Sequence, residues 1–233
     1  MADIVILNAK VFTSDKESPW AEAVAIKGNR IEFVGTNEDA KRFTESNTKV
    51  IDAKGQTLTA GFIDSHFHLL SGSIWAGSAQ LYDVTNKNEL KEILLDYANK
   101  NKTTEWVDGR GIKYGVVSTR QELDKMTSDR PIYINAYDGH TSWANTKALE
   151  MAGILKSGIE ASGVGEIVRD ETGLATGELR ETAMSLVADL IPEPDDARKR
   201  ELLKMVIQKI NASGITSIHN MNGDMKDLLT YAA

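Results

Sequence analysis

The sequence predicts an α/β protein in which a short all-β segment precedes a parallel sheet with helices packed outside it. Three observations carry that expectation. Residues 1–56 are β-branched and aliphatic runs separated by turn residues. From Thr57 onward strand candidates alternate with helix candidates, the rhythm of parallel strands joined by helical crossovers. The chain of 233 residues, 41% hydrophobic and 26% charged, is long enough to bury a sizeable core.

The elements follow in order. "DIVILNAKVFT" is apolar and β-branched until Ser14, Asp15 and Lys16 break it. "AEAVAIKGNRIEFVG" alternates about Gly28-Asn29, a turn dipeptide between two apolar runs. "KVIDAKGQTLTAG" repeats the style, with Gly55 as its break. A strand through residue 68 comes next. Leu90, Ile93, Leu94 and Tyr97 then fall on one helical face, and Asn86-x-x-Glu89 is placed to cap it. "EWVDGRGI" reads as a strand, "TRQELDKM" as a short helix opened by Thr119-x-x-Glu122, and "RPIYINAYDGH" as a strand from Pro131 to about Tyr137. "SWANTKALEMAGI" reads as a helix that Gly153 ends. Glycines at 163, 165, 173 and 177 make the following stretch a hairpin or excursion. "RETAMSLVADLI" is helical and stops before Pro192. "DDARKRELLKMVIQKI" is a helix with Leu203, Val206, Ile207 and Ile210 on one face, closed by Gly214. "ITSIHN" is a strand and "MKDLLTYAA" a final helix.

Composition narrows the function. A net charge of −7 repels nucleic acid and anionic membranes, so neither is an expected partner. No run of 18 apolar residues exists to span a bilayer. The start "MADIVILNAK" lacks the basic flank and cleavage site of a signal peptide, and a cytoplasmic location is expected. With no cysteine, disulfides, thiolate metal sites and a cysteine nucleophile are excluded. A metal would have to be held by His, Asp or Glu, which suits zinc, manganese or iron.

Two of the four histidines stand together in "TLTAGFIDSHFHLLSG". Alternate residues of a strand point the same way. Asp64, His66 and His68 therefore share a face with Leu58, Ala60 and Phe62, and that face turns polar only at its C-terminal end. Imidazoles at i and i+2 can grip one ion without bending the backbone. "GRGIKYG", residues 109–115, lacks the spacing of a phosphate-binding loop and reads as a strand end with a flexible loop.

An N-terminal run of strands leading into "AGFIDSHFHL", followed by "YDGHTSWANTKAL", "TGELRETA" and "GITSIHN", resembles the amidohydrolase superfamily. Within it the match is to the YtcJ-like branch that includes N-substituted formamide deformylases. The resemblance implies a β-sandwich segment over residues 1–56. Residues 57–233 would be about the first four strands of a (β/α)8 barrel, with an insertion near 155–180. It implies that His66 and His68 ligate the more buried of one or two divalent ions, zinc first, with manganese or iron as alternatives. In that family a metal-activated water attacks a carbonyl carbon.

His140, His219 and Glu181 are then the expected catalytic groups, with Asp138, Trp143 and Asn145 contacting substrate. Asp138 would orient His140. Glu178 and Glu181 also read as the acidic opening of a helix. The substrate class is a small amide, N-formyl or N-acyl molecule. Deamination or cyclic-amide hydrolysis on the same scaffold is an alternative, and a non-catalytic fragment or assembly partner is another. A barrel of this kind takes about 250 residues, and the stretch from Thr57 is shorter. The sequence therefore reads as part of a longer protein, with homo-oligomerisation as a further expectation.

Overall fold

A computed structural model describes residues 1–127, 129–156 and 161–232. In chain order the strands and helices are β1 (Ile4–Leu7), β2 (Lys10–Phe12), β3 (Trp20–Ala21), β4 (Ala23–Lys27), β5 (Arg30–Gly35), α1 (Asn37–Ala40), β6 (Lys49–Asp52), β7 (Thr57–Thr59), β8 (Phe62–Phe67), α2 (Leu69–Ala76), β9 (Ala79–Gln80), α3 (Lys87–Lys100), β10 (Val107–Ile112), α4 (Arg120–Asp124), β11 (Ile132–Ala136), β12 (Thr141–Ala144), α5 (Thr146–Met151), β13 (Glu166–Arg169), β14 (Ala175–Arg180), α6 (Ser185–Ala188), α7 (Asp196–Ala212), β15 (Ile215–Asn220) and α8 (Met225–Ala232). Four residues of the expected insertion, 157–160, and the final residue of the expected last helix lie outside the described residues.

The chain divides into two compact units, Met1–Ser65 with Asn211–His219, and His66–Ile210 with Asn220–Ala233. In the first unit the early strands make two small sheets, ordered β5-β4-β1-β6 and β3-β2-β7. The β4–β5 hairpin turns at Gly28 and Asn29 as the sequence predicts. Val5, Ala23 and Ala25 are fully buried in one apolar cluster, and Val11 and Val24 in a second. Among the described residues, β8 and β15 form a two-stranded sheet. The Phe62 N–H donates to the Gly214 carbonyl and the Met221 N–H to the Phe67 carbonyl, so these two strands run parallel.

The second unit is built on a six-stranded sheet ordered β13-β14-β12-β11-β10-β9. Its central strand β11 shows strict alternation. Ile132, Ile134 and Ala136 enter one apolar cluster with Leu90 and Leu94 of α3, while Tyr133 enters the other with Ala148, Leu149, Leu179 and Val187. Burial on both faces stabilises such a strand by about 1.5–3 kcal/mol for each large aliphatic side chain. Helix α3 begins as its cap predicts: Asn86 Oδ1 accepts from the N–H groups of Asn88 and Glu89, both at 3.1 Å. The Glu89 carboxylate returns to the Thr85 N–H at 2.8 Å.

The expectation of a parallel sheet is corrected. The sheet is mixed: β9, β10 and β11 are parallel, whereas β12, β14 and β13 add antiparallel. The partial barrel that the sequence predicts would not close, and no closed barrel forms among the described residues. The cause of the antiparallel addition is local. Gly139, at φ +77, turns the chain back after β11. Residues expected to begin a helix become β12 instead, and the helix starts only at Thr146. Glu178 and Glu181 likewise do not open an α-helix. Glu178 lies in β14, paired with Trp143, and Glu181 starts a single 3-10 turn. On α7 the buried residues are Leu202, Leu203 and Val206, and Ile207 is exposed, one residue out of step with the expected stripe.

Close packing makes one glycine obligatory. At Gly177, with φ +113, an added Cβ would lie 2.8 Å from the Ala144 carbonyl oxygen and 2.8 Å from the Arg120 nitrogen. Gly177→Ala is expected to lower unfolding free energy by roughly 2–4 kcal/mol, measured by urea denaturation. A second prediction concerns Asp108, which is half-buried and accepts a 2.7 Å hydrogen bond from the Tyr97 hydroxyl of α3. Burial raises its carboxyl above the usual carboxylate range, against the opposing effect of that bond. A carboxyl raised in the fold favours the protonated state, so its ionisation costs stability as pH climbs from the ordinary value through the raised one. Asp108→Asn, which keeps an acceptor for Tyr97, should therefore raise Tm at neutral pH, with the gain fading as pH falls below the ordinary carboxylate value.

Candidate functional site

Two clusters of the expected site residues form in the second unit. The first is the His66/His68 junction, where β8 ends and α2 begins. Neither ring is buried. Their centroids are 5.3 Å apart, with planes at 68°. Two imidazoles sharing a tetrahedral ion at metal–nitrogen distances of about 2 Å have centroids about 5 Å apart, close to the separation seen here. His68 Nδ1 lies 2.9 Å from Asn222 Oδ1. An amide oxygen only accepts, so Nδ1 carries the proton and Nε2 keeps its lone pair. Asn222 Nδ2 donates in turn to Ser71 Oγ at 3.3 Å, and Asn220 Oδ1 accepts from the Leu69 N–H at 2.8 Å. These two asparagines pin the strand-to-helix junction that carries the histidines. Sequence reasoning missed both. The signal was an asparagine at the end of a predicted strand and another in the polar segment after it.

Among the described residues no group of three or more His, Asp or Glu is placed to hold an ion. His66 and His68 supply two donors where a catalytic zinc takes about three protein ligands plus water.

The second cluster gathers His140, Glu181 and Asp138. His140 follows the Gly139 turn, and Glu181 ends the neighbouring β14 ladder. The His140 imidazole and the Glu181 carboxylate meet at 3.2 Å. Asp138 accepts from the His140 backbone N–H at 3.1 Å and from the Tyr114 hydroxyl at 3.1 Å. Tyr114, from the loop after β10, also lies 2.9 Å from Thr141 Oγ1 and sets its ring edge-on to Tyr137 and Trp143. Sequence reasoning passed over Tyr114 because its loop read only as flexible.

The remaining residues are placed differently. Asn145 is buried, and its side chain is consumed by the backbone. Oδ1 accepts from Ile132 and Ala148 at 3.0 Å each, and Nδ2 donates to the Arg130 carbonyl at 3.0 Å. It caps α5 and ties that helix to β11, beneath the cluster. Trp143 is 2% exposed and packs in the core. His219 belongs to the first unit and is exposed near the end of β15.

Comparison with known proteins adds the lineage. The model of the family described as "Amidohydrolase family" matches residues 49–233. The Arabidopsis thaliana protein LONG AFTER FAR-RED 3 is 30% identical over 222 residues, covering 94% of this chain and 38% of the relative. N-substituted formamide deformylase of Arthrobacter pascens is 31% identical over 231 residues, covering 94% and 42% respectively. The crystal structure of an uncharacterized metal-dependent hydrolase from Pyrococcus furiosus superposes with a TM-score of 0.70 at 22% identity, over 98% of this chain and 46% of that one. The chain thus spans less than half the length of these relatives. No helix among the described residues is long and apolar enough to cross a membrane. With the family model running from β6 through both histidine clusters to Ala233, and a mixed α/β fold shared with a solved metal-dependent hydrolase, the chain belongs to the amidohydrolase family.

Proposed function

We propose that this chain is part of a metal-dependent hydrolase that cleaves C–N bonds in small amide, N-formyl or N-acyl molecules, with residues 57–233 supplying the first portion of its catalytic domain. The observation that carries the reading is the approach of His66 and His68 to 5.3 Å, in a chain related to a formamide deformylase. These two imidazoles would hold the ion, zinc being the best match to an all-nitrogen pair with no thiolate available. A divalent ion held there would supply Lewis acidity toward a carbonyl oxygen and lower the pKa of bound water.

The chain's own residues do the rest. Asn222 fixes the His68 ring and leaves Nε2 as its donor atom, the usual way an outer partner orients a metal-binding imidazole. His140 stands exposed beside Asp138 and Glu181, a group suited to accept or return a proton. Asp138 and Tyr114 offer a carboxylate and an aromatic face to a substrate N–H group. Further ligand positions would fall to water or to additional polypeptide.

Zinc titration of the dialysed chain followed by calorimetry is the test. About one equivalent is expected to bind the wild type. His66→Ala and His68→Ala should each weaken binding by at least about tenfold, and Asn222→Leu by about tenfold. Equal affinity in all four proteins would remove the metal site and the hydrolase reading with it. An N-formyl amine screened against the zinc-loaded protein tests the substrate class.

A further inference from the structure

Glu181 sits where a glutamate is costly. Its φ is +48, in the left-handed region that disfavours a residue with a Cβ. Two of its hydrogen-bonding contacts go to His140. The Glu181 backbone N–H donates to the His140 carbonyl at 3.1 Å, and its carboxylate oxygens lie 3.2 and 3.3 Å from His140 Nδ1. The left-handed turn directs the carboxylate back across the β12–β14 pair, where Thr141 and Arg180 are in register. His140 is held from the other side as well, because Asp138 accepts its backbone N–H and is itself tethered to Tyr114. The other end of the ring is open: the His140 side chain is 68% exposed.

We propose that Glu181 is a positioning residue: its carboxylate accepts the Nδ1 proton of His140 and so presents the Nε2 lone pair outward as the proton acceptor of the site. A carboxylate has no proton to give, so the neutral ring must carry its hydrogen on Nδ1. A histidine side chain in water favours the opposite tautomer. The carboxylate therefore selects the form that can accept a proton at its exposed nitrogen. The assignment of His140 as the group that then acts rests on the hydrolase reading; the tautomer does not.

Long-range ¹H–¹⁵N correlation spectra of the four histidine rings test this in the chain as it stands. Above the titration range, wild-type His140 is expected to show a protonated Nδ1 and a bare Nε2. Glu181→Gly keeps the left-handed backbone without its Cβ cost and removes the side chain with its carboxylate; His140 should then revert to the Nε2–H form. Acylation of Nε2 by diethyl pyrocarbonate should slow several-fold in the same variant. A wild-type His140 already in the Nε2–H form, or a tautomer and acylation rate unchanged by Glu181→Gly, would overturn the proposal. The wild-type spectrum alone decides the matter if the variant fails to fold. Neither readout depends on zinc affinity, so failure here and failure of the hydrolase reading are told apart.

Discussion

Strand β11 is buried on both faces, and the second unit is arranged around that demand. Ile132 and Ile134 are fully enclosed on one side, and Tyr133 is 3% exposed on the other. Covering them requires α3 above and the α5–α6 region below. It also requires a hydrogen-bonding neighbour on each edge, since an unpaired ladder in this setting leaves buried polar groups unsatisfied. β10 fills one edge in parallel and β12 the other in antiparallel. Asn145 completes the arrangement by satisfying two N–H groups and one carbonyl at the point where β12 gives way to α5. The turn at Asp138–His140 therefore follows directly from a strand that is buried on both faces and paired on both edges.

The two histidine clusters solve one problem in two ways. An imidazole has two nitrogens, and its usefulness depends on which keeps a lone pair. At His68 a neutral amide oxygen accepts the Nδ1 proton, leaving Nε2 as a donor atom with no added charge nearby from that partner. At His140 a carboxylate lies in the same position beside Nδ1. The first arrangement sets a neutral amide against the ring and the second an anion. The difference follows from the partner side chain, Asn222 or Glu181, and not from the histidine.

Much of this was legible in the sequence. The strand expected from Pro131 to about Tyr137, the Asn86 cap, the Gly28-Asn29 hairpin and the glycine-marked β13–β14 excursion all carry their signals within a few residues. So does His-x-His, where adjacency on one strand brings the rings together. The helix expected from Ser142 shows the limit: its first residues are strand, and the helix begins only at Thr146. Thr-Ser-Trp-Ala tolerates either conformation, and the choice fell to β11, whose open edge rewarded a strand there more than local propensity rewarded a helix. Trp143 and Asn145, expected to contact substrate, are both buried: one fills the core and the other ties off backbone.

The sequence by itself determined what acts over short range: the alternation of strands and helices, the caps and turns, the exclusion of thiol chemistry, and the pairing of His66 with His68. Tertiary structure decided what joins residues far apart in the chain. Asn222 meets His68 across 154 positions, and Glu181 meets His140 across 41. Those encounters depend on sheet order and on a single left-handed residue, and no local pattern of side chains encodes either. Local preferences are summed along the chain, whereas a site is a coincidence of distant segments that only the burial of a shared core brings within hydrogen-bonding distance.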